Sequence, residues 1–287
     1  MAHQFQNYTQ NDDWNRWEVE TLQENKKEYY PFEHVNADTL YFQFSNFQFP
    51  ILSYALVFIY LIGIVTTLRF MQDRKPYNSL KSLLISLFVI NAIFGIGATI
   101  RTLPRVRDSI FKQDGLYNLL CVRNGPLNFD FFWVIMYHWS KLWQLAETFL
   151  IILLKKNLTL LHVVHHSIMA FMSAAIAPYG EPLMYCIFFL NVLQHAMTYP
   201  ILVAKMLEFK VWKGSNAFIL LMEMGVVAAG VGGSVYTQTV IGNGGDCVRN
   251  PTSIVLFNIG IWSILLLVGK MLYAEIVSKK YKGKKAE

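Results

Sequence analysis

Ile51-Leu-Ser-Tyr-Ala-Leu-Val-Phe-Ile-Tyr-Leu-Ile-Gly63 contains no charged residue, and the apolar run around it extends over about 48–70. A helix of about 20 such residues matches the hydrocarbon thickness of a bilayer. Six further blocks follow, at about 80–100, 130–154, 158–177, 182–206, 216–240 and 252–277. Between the third and fourth stand only Lys155, Lys156 and Asn157. In a chain of 287 residues, 54% hydrophobic and 15% charged, this pattern argues against a soluble domain. It predicts an all-α integral membrane protein with seven transmembrane helices. Residues 1–47 are polar and acidic-aromatic, with no apolar run behind a basic start, so the first block is expected to act as its own insertion signal. The expected organisation is a polar N-terminal tail (1–47), one membrane domain (48–277) and a basic tail (278–287).

The distribution of Lys and Arg predicts the orientation. With the N-terminus luminal, fourteen cations fall on the cytosolic side: Arg69, Arg74, Lys75, Lys81, Lys155, Lys156, Lys205, Lys210, Lys213 and the five lysines of the tail. Nine fall on the luminal side, among them Arg101, Arg105, Arg107, Lys112, Arg123 and Arg249. The C-terminus is then cytosolic, and the net charge of +6 faces anionic lipid and anionic substrates without any need for nucleic acid. On this topology Cys121 and Cys247 lie in luminal loops, where a disulfide is permitted; two unconnected thiols are the alternative. Cys186, inside the fifth block, is expected to be free. Asn7-Tyr8-Thr9 is a luminal glycosylation candidate, whereas a glycan on Asn157 would overturn the orientation. Pro76, Pro104, Pro126, Pro178, Pro182 and Pro251 lie near block ends, and Pro200 lies inside the fifth block, where a kink would line a cavity. Lys284 and Lys285 resemble the dilysine retrieval signal of the endoplasmic reticulum; a basic flank against anionic lipid is the plainer reading.

Polar residues inside the apolar blocks carry the functional information, because an ionisable group at membrane depth is costly. His162-Val163-Val164-His165-His166 places three imidazoles on roughly one 100° arc of a helix. Imidazole can carry a metal, a proton or an acyl group near neutral pH. In the third block Lys141, Gln144, Glu147 and Thr148 recur along one side, and in the fifth Asn191, His195 and Tyr199 recur at i, i+4 and i+8. Glu223 interrupts the sixth block. Such residues on consecutive helices imply a shared interior. His138 is expected to be structural.

These residues, taken in order, resemble the ELO family of very-long-chain fatty acid elongases. The family carries Lys-x-x-Glu-x-x-Asp-Thr, then His-x-x-His-His, then Asn-x-x-x-His-x-x-Met-Tyr. Here the matching residues are Lys141, Gln144, Glu147 and Thr148, then His162, His165 and His166, then Asn191, His195, Thr198 and Tyr199. Asn124-Gly125-Pro126 with Phe132-Trp133, and Asn157 where polyunsaturated-type members usually have Gln, are similar to the subgroup handling saturated and monounsaturated chains. The chain departs from the family in four places. Gln144 replaces a Glu, Glu147 an Asp and Thr198 a Met, and the sixth-helix Thr-x-x-Gln-x-x-Gln reads Leu220, Glu223 and Val226. One account is a charge exchange in which Glu223 replaces the carboxylate missing at 144 and keeps Lys141 partnered.

The resemblance implies helices 2–7 around a narrow acyl tunnel, with helix 1 peripheral. It implies condensation of a long-chain acyl-CoA with malonyl-CoA to 3-ketoacyl-CoA, CoA and CO2, in the endoplasmic reticulum membrane, with no bound cofactor. His165 would take the acyl group, with His162, His166, His195, Lys141 and Glu147 completing the catalytic set. Gln144, Asn191, Tyr199 and Glu223 would hold substrate, and Lys155, Lys156, Lys205 and Lys210 would meet the CoA phosphates. A 3-ketoacyl-CoA reductase, a dehydratase and an enoyl reductase would complete the cycle, and a homo-oligomer fits the class. Two other classes share parts of the pattern. Membrane desaturases and hydroxylases also use His-x-x-His-His, but their metal sites need more histidines than the five outside the polar tail. A seven-helix receptor fits the outline, though not the clustered ionisable residues.

Overall fold

A computed structural model of the chain describes residues 48–111, 113–122, 129–176 and 181–284. The tails at 1–47 and 285–287, Asn7, Lys112, the segment 123–128 with Asn124-Gly125-Pro126, and Pro178 lie outside the described residues. Among the described residues all regular structure is helical: α1 (Gln48–Phe70), α2 (Lys81–Ile110), a short α3 (Gly115–Leu120), α4 (Phe129–Leu153), α5 (Leu160–Ile176), α6 (Pro182–Met206), α7 (Ser215–Gly242) and α8 (Pro251–Lys284). α1, α2, α6, α7 and α8 are long and apolar enough to cross a bilayer. The apolar run of α4 is broken by Lys141 and Glu147, and α5, at 17 residues, is the shortest of the seven long helices. The chain is a multi-pass helical membrane protein.

The helix ends follow local chemistry. Pro182 and Pro251 open α6 and α8, where a missing backbone N–H costs nothing. Lys155 and Glu208 adopt left-handed backbone conformations just after α4 and α6, turning the chain sharply at the lysine-rich end of the bundle. Two boundaries differ from expectation. α2 runs through Pro104 to Ile110, so this proline lies inside the helix, and α8 continues through the basic tail to Lys284. A proline in mid-helix removes one backbone hydrogen bond, and neighbouring helices can support the turn that remains.

α1 sits at the margin. Val57, Tyr60 and Ile64 are buried against Leu145, Ile152 and Ala170 of α4 and α5, whereas Phe58, Ile59 and Ile62 are more than half exposed, as a lipid-facing side requires. The most intimate pair is α2 with α6. At Gly95 a Cβ atom would lie 2.8 Å from the backbone nitrogen of Ala196 and 3.0 Å from the carbonyl oxygen of Val192. Only glycine lets the two backbones approach this closely, with Ala92 and Ala98 buried on either side. Gly95→Ala should cost about 1–3 kcal/mol, read as a lower unfolding temperature in detergent. Gly225→Ala, where nothing lies within 4 Å, should leave that temperature unchanged.

At the end opposite the lysines, the sulfurs of Cys121 and Cys247 are bonded, closing a separation of 126 residues, and Val248 N–H donates to Cys121 O at 3.0 Å. Cys186 is free. The bridge ties the segment after α7 to the end of α3, beside a core of Leu120, Ile176, Leu183, Val227, Phe257 and Ile264. Replacing both cysteines by serine should cost about 2–4 kcal/mol, because so long a loop is closed. The same loss of thermal stability should appear in the native protein on adding reductant.

Candidate functional site

Helices α2, α4, α5, α6 and α7 each direct polar side chains into one buried layer. Asn91 is the tenth residue after the start of α2 and Glu223 the eighth after the start of α7. The layer therefore lies about 12–15 Å in from the lysine-rich end. Lys141 is at its centre, 2% exposed. Its Nζ donates to Asn191 Oδ1 at 2.6 Å, His195 Nε2 at 2.9 Å and Gln144 Oε1 at 3.2 Å, which uses all three ammonium protons.

Two hydrogen-bond chains leave this lysine. In the first, Gln144 Nε2 donates to Asn91 Oδ1 at 3.0 Å, and Asn91 Nδ2 donates to Glu147 Oε2 at 3.4 Å. Tyr199 O–H donates to the same Glu147 oxygen at 3.0 Å, and Trp143 Nε1 donates to Asn91 Oδ1 at 3.2 Å. In the second, Asn191 Nδ2 donates to Gln194 Oε1 at 3.3 Å, and Gln194 Nε2 donates to Glu223 Oε2. The other carboxylate oxygen of Glu223 lies 3.1 Å from His165 Nε2. One ammonium and two carboxylates are thus joined through four amides, which is how buried charge is made tolerable.

The histidines take distinct roles in these bonds. His195 Nε2 accepts from Lys141, so its proton sits on Nδ1. His166 Nδ1 donates to the carbonyl of Gln144 at 3.1 Å, which leaves Nε2 as its basic nitrogen. His162 Nε2 meets Thr148 Oγ1 at 3.1 Å, and that hydroxyl meets Tyr60 O–H at 2.9 Å. The rings of His162 and His166 are 4.0 Å apart and those of His165 and His166 5.7 Å. Among the described residues no three His, Cys, Asp or Glu side chains converge as a set of metal ligands. The lone pair of His195 faces an ammonium instead.

The layer brings together Lys141, Gln144, Glu147, His162, His165, His166, Asn191, His195, Tyr199 and Glu223. It does not include the four flanking lysines. Lys155 and Lys156 are exposed, Lys155 donating to Gln72 O; Lys205 reaches Asn216 Oδ1 at 2.5 Å, and Lys210 is exposed at the same end. The charge exchange also takes another form than expected. Glu223 does not contact Lys141, whose three acceptors are neutral; it binds His165 and Gln194. The reason is geometric, since α6 supplies Asn191 and Gln194 between the two charges. His138 lies outside the layer, clasped between Ser53 of α1 at 3.0 Å and Ser173 of α5 at 2.8 Å.

Sequence reasoning gave no role to Asn91, Gln194 or Tyr60. Asn91 left a signal, because it is the lone amide in the block 80–100. Gln194 sits between Asn191 and His195 and is visible only once the helix face is known.

Residues 43–286 match the ELO: GNS1/SUR4 family. The chain belongs to the ELO family. Its relatives include a putative fatty acid elongase of Dictyostelium discoideum, 24% identical over 83% of this chain and 78% of the relative. Putative fatty acid elongase 4 of Caenorhabditis elegans is 32% identical over 48% of this chain and 47% of its own length. Human very long chain fatty acid elongase 3 is 31% identical over 40% of this chain and 42% of its own. The chain thus spans about half the length of the nematode and human relatives it matches. Within this ELO chain the amide at 144 has a local reason. Gln144 both accepts from Lys141 and donates to Asn91, and a carboxylate there could only accept.

Proposed function

We propose that the protein is a fatty acid elongase, a 3-ketoacyl-CoA synthase that condenses long-chain acyl-CoA with malonyl-CoA. The observation that carries the reading is the layer just described, in which Lys141, His165, His195 and Glu147 meet inside the bundle at the lysine-rich end. The acyl chain lies in a narrow tunnel enclosed by α2 and α4–α8, with α1 outside. His165 attacks the thioester and holds the acyl group as an acyl-imidazole, splitting one condensation into two easier steps. Loss of CO2 from malonyl-CoA produces an enolate, and Lys141, Asn191 and Tyr199 supply positive charge and hydrogen bonds where its charge develops. His162, His166 and His195 orient substrate and move protons. Lys155, Lys156, Lys205 and Lys210 draw CoA phosphates to the mouth.

The enzyme holds no cofactor of its own. Reduction belongs to the 3-ketoacyl-CoA reductase and enoyl reductase that act with a dehydratase on its product. It resides in the endoplasmic reticulum membrane, N-terminus luminal, Asn7 available for glycosylation and C-terminus cytosolic. A homo-oligomer is compatible with the lipid-facing helices, and the substrates are saturated or monounsaturated chains. Microsomes carrying the protein should incorporate labelled malonyl-CoA carbon into a panel of acyl-CoAs, yielding free CoA and 3-ketoacyl-CoA. Absence of malonyl-dependent extension across the panel would reject the reading.

A further inference from the structure

Hydrogen-bond directions in the second chain follow from the lysine at its start. An ammonium has no lone pair and can only donate. Lys141 therefore turns Asn191 Oδ1 toward itself, which directs Asn191 Nδ2 to Gln194 Oε1. Gln194 Nε2 is then the donor to Glu223 Oε2. Glu223 Oε1 is left to face His165 Nε2 at 3.1 Å, and an ionised carboxylate can only accept. A carboxylate oxygen this close to Nε2 favours the tautomer with the proton on Nε2, since two lone pairs would repel there. Among the described residues neither ring nitrogen of His165 makes a hydrogen bond; Nε2 has the close ion-pair contact with Glu223, and Nδ1 has no such partner.

We propose that Glu223 is the positioning residue of His165, fixing its Nε2–H tautomer so that Nδ1 takes the acyl group, and storing the Nε2 proton while the acyl-enzyme exists. The inference rests on the elongase reading and deepens it. In the first half-reaction the Nδ1 lone pair attacks the thioester carbonyl carbon. The C–S bond breaks and CoA leaves as thiolate, taking a proton from water. The acylated ring gives its Nε2 proton to the Glu223 carboxylate, so neutral acyl-imidazole and neutral carboxylic acid stand side by side. In the second half-reaction malonyl-CoA loses CO2, and the resulting enolate carbon attacks the acyl carbonyl. The bond from carbonyl carbon to Nδ1 breaks, 3-ketoacyl-CoA departs, and Glu223 returns its proton to Nε2. The cycle consumes one proton, the one taken up by CoA. A glutamine, which ELO members usually carry here, can orient the ring but cannot store a proton, so this division of labour belongs to the chain in hand.

The test uses the full-length protein in detergent or nanodiscs, with a long-chain acyl-CoA and labelled malonyl-CoA. Glu223→Gln keeps the side-chain volume and one acceptor oxygen for His165, turns the other oxygen into a donor toward Gln194, and removes the proton acceptor. It should lower kcat roughly 100-fold and leave KM for both substrates within about twofold. Acylation of His165, followed by mass spectrometry of the histidine peptide before malonyl-CoA is added, should slow by a similar factor. Glu223→Asp restores a carboxylate and should recover at least about tenfold of the lost kcat. A Glu223→Gln enzyme as fast as the native one, or a Glu223→Asp enzyme no faster than Glu223→Gln while both unfold at the native temperature, would overturn the role of Glu223 and leave the elongase reading standing. A native enzyme that extends no chain would overturn that reading itself.

Discussion

Lys141→Met should reduce malonyl-dependent chain extension roughly 100- to 1,000-fold, the loss expected when a preorganised charge is removed from a dry site. Methionine fills nearly the same volume, so packing survives and the chemistry is what changes. Asn191 Oδ1, His195 Nε2 and Gln144 Oε1 would lose a shared donor at once. Both amide chains would also lose the residue that sets their direction. Asn191 and Gln144 could then flip, and Glu147 and Glu223 would stand in the bundle with no cation between them. The variant should therefore be less stable as well as inactive, by about 3 kcal/mol if the orphaned carboxylates remain charged. Lys141→Arg should not rescue it, because a planar guanidinium does not direct three protons to acceptors spaced around a tetrahedral nitrogen. Rates measured with labelled malonyl-CoA, beside unfolding temperatures of the same preparations, check both halves. A Lys141→Met enzyme within tenfold of native would remove this lysine from the chemistry.

Arg249→Met should produce the largest purely structural loss, about 3–5 kcal/mol, because it strands a buried carboxylate. The side chains of Arg249 and Glu181 are 0% and 1% exposed and pair at 2.9 Å. Arg249 also donates to Thr237 Oγ1 at 2.7 Å, and Glu181 Oε1 accepts the backbone N–H of Asn250 at 2.6 Å. The pair thereby pins the segment before α8 to the start of α6, beside the disulfide. Burial pushes the Glu181 carboxyl above its ordinary range, opposed by Arg249 and the Asn250 N–H. A carboxyl raised in the folded state contributes stability that is present below its unfolded value and lost as pH rises through the folded one. Removing the arginine takes away one of the groups opposing burial, so the defect of Arg249→Met should deepen between mildly acidic and alkaline pH. The double change Glu181→Met with Arg249→Met should recover most of the loss, since well-packed apolar residues replace such pairs at little cost. Thermal unfolding of the single and double variants at two pH values checks the coupling. Equal stability of all forms would show that the pair carries nothing.

How much of the site could be read from the chain alone depended on the residue. His162, His165 and His166 share a helical face by spacing alone, and Asn191, His195 and Tyr199 do likewise; neither needed a partner helix to be recognised. Glu223 is conspicuous as an acid in an apolar block, but the partner it finds is His165 and not the Lys141 that the sequence suggests. Charge bookkeeping alone favoured the lysine, and the two amides interposed by α6 decided otherwise. Pro104 read as a boundary because an isolated helix stops there, whereas in the bundle α2 continues past it.

By itself the sequence determined that the chain is a membrane bundle of seven long helices with a small set of buried ionisable residues. Both properties are local, because hydrophobic length and the rarity of polar residues are counted along one dimension. Tertiary structure alone decided which donor meets which acceptor. Lys141 lies 50 residues from Asn191 and 54 from His195, and Gln144 53 from Asn91. A hydrogen bond is short and directional, so its partners across such separations are set by how the helices pack and by no pattern along the chain.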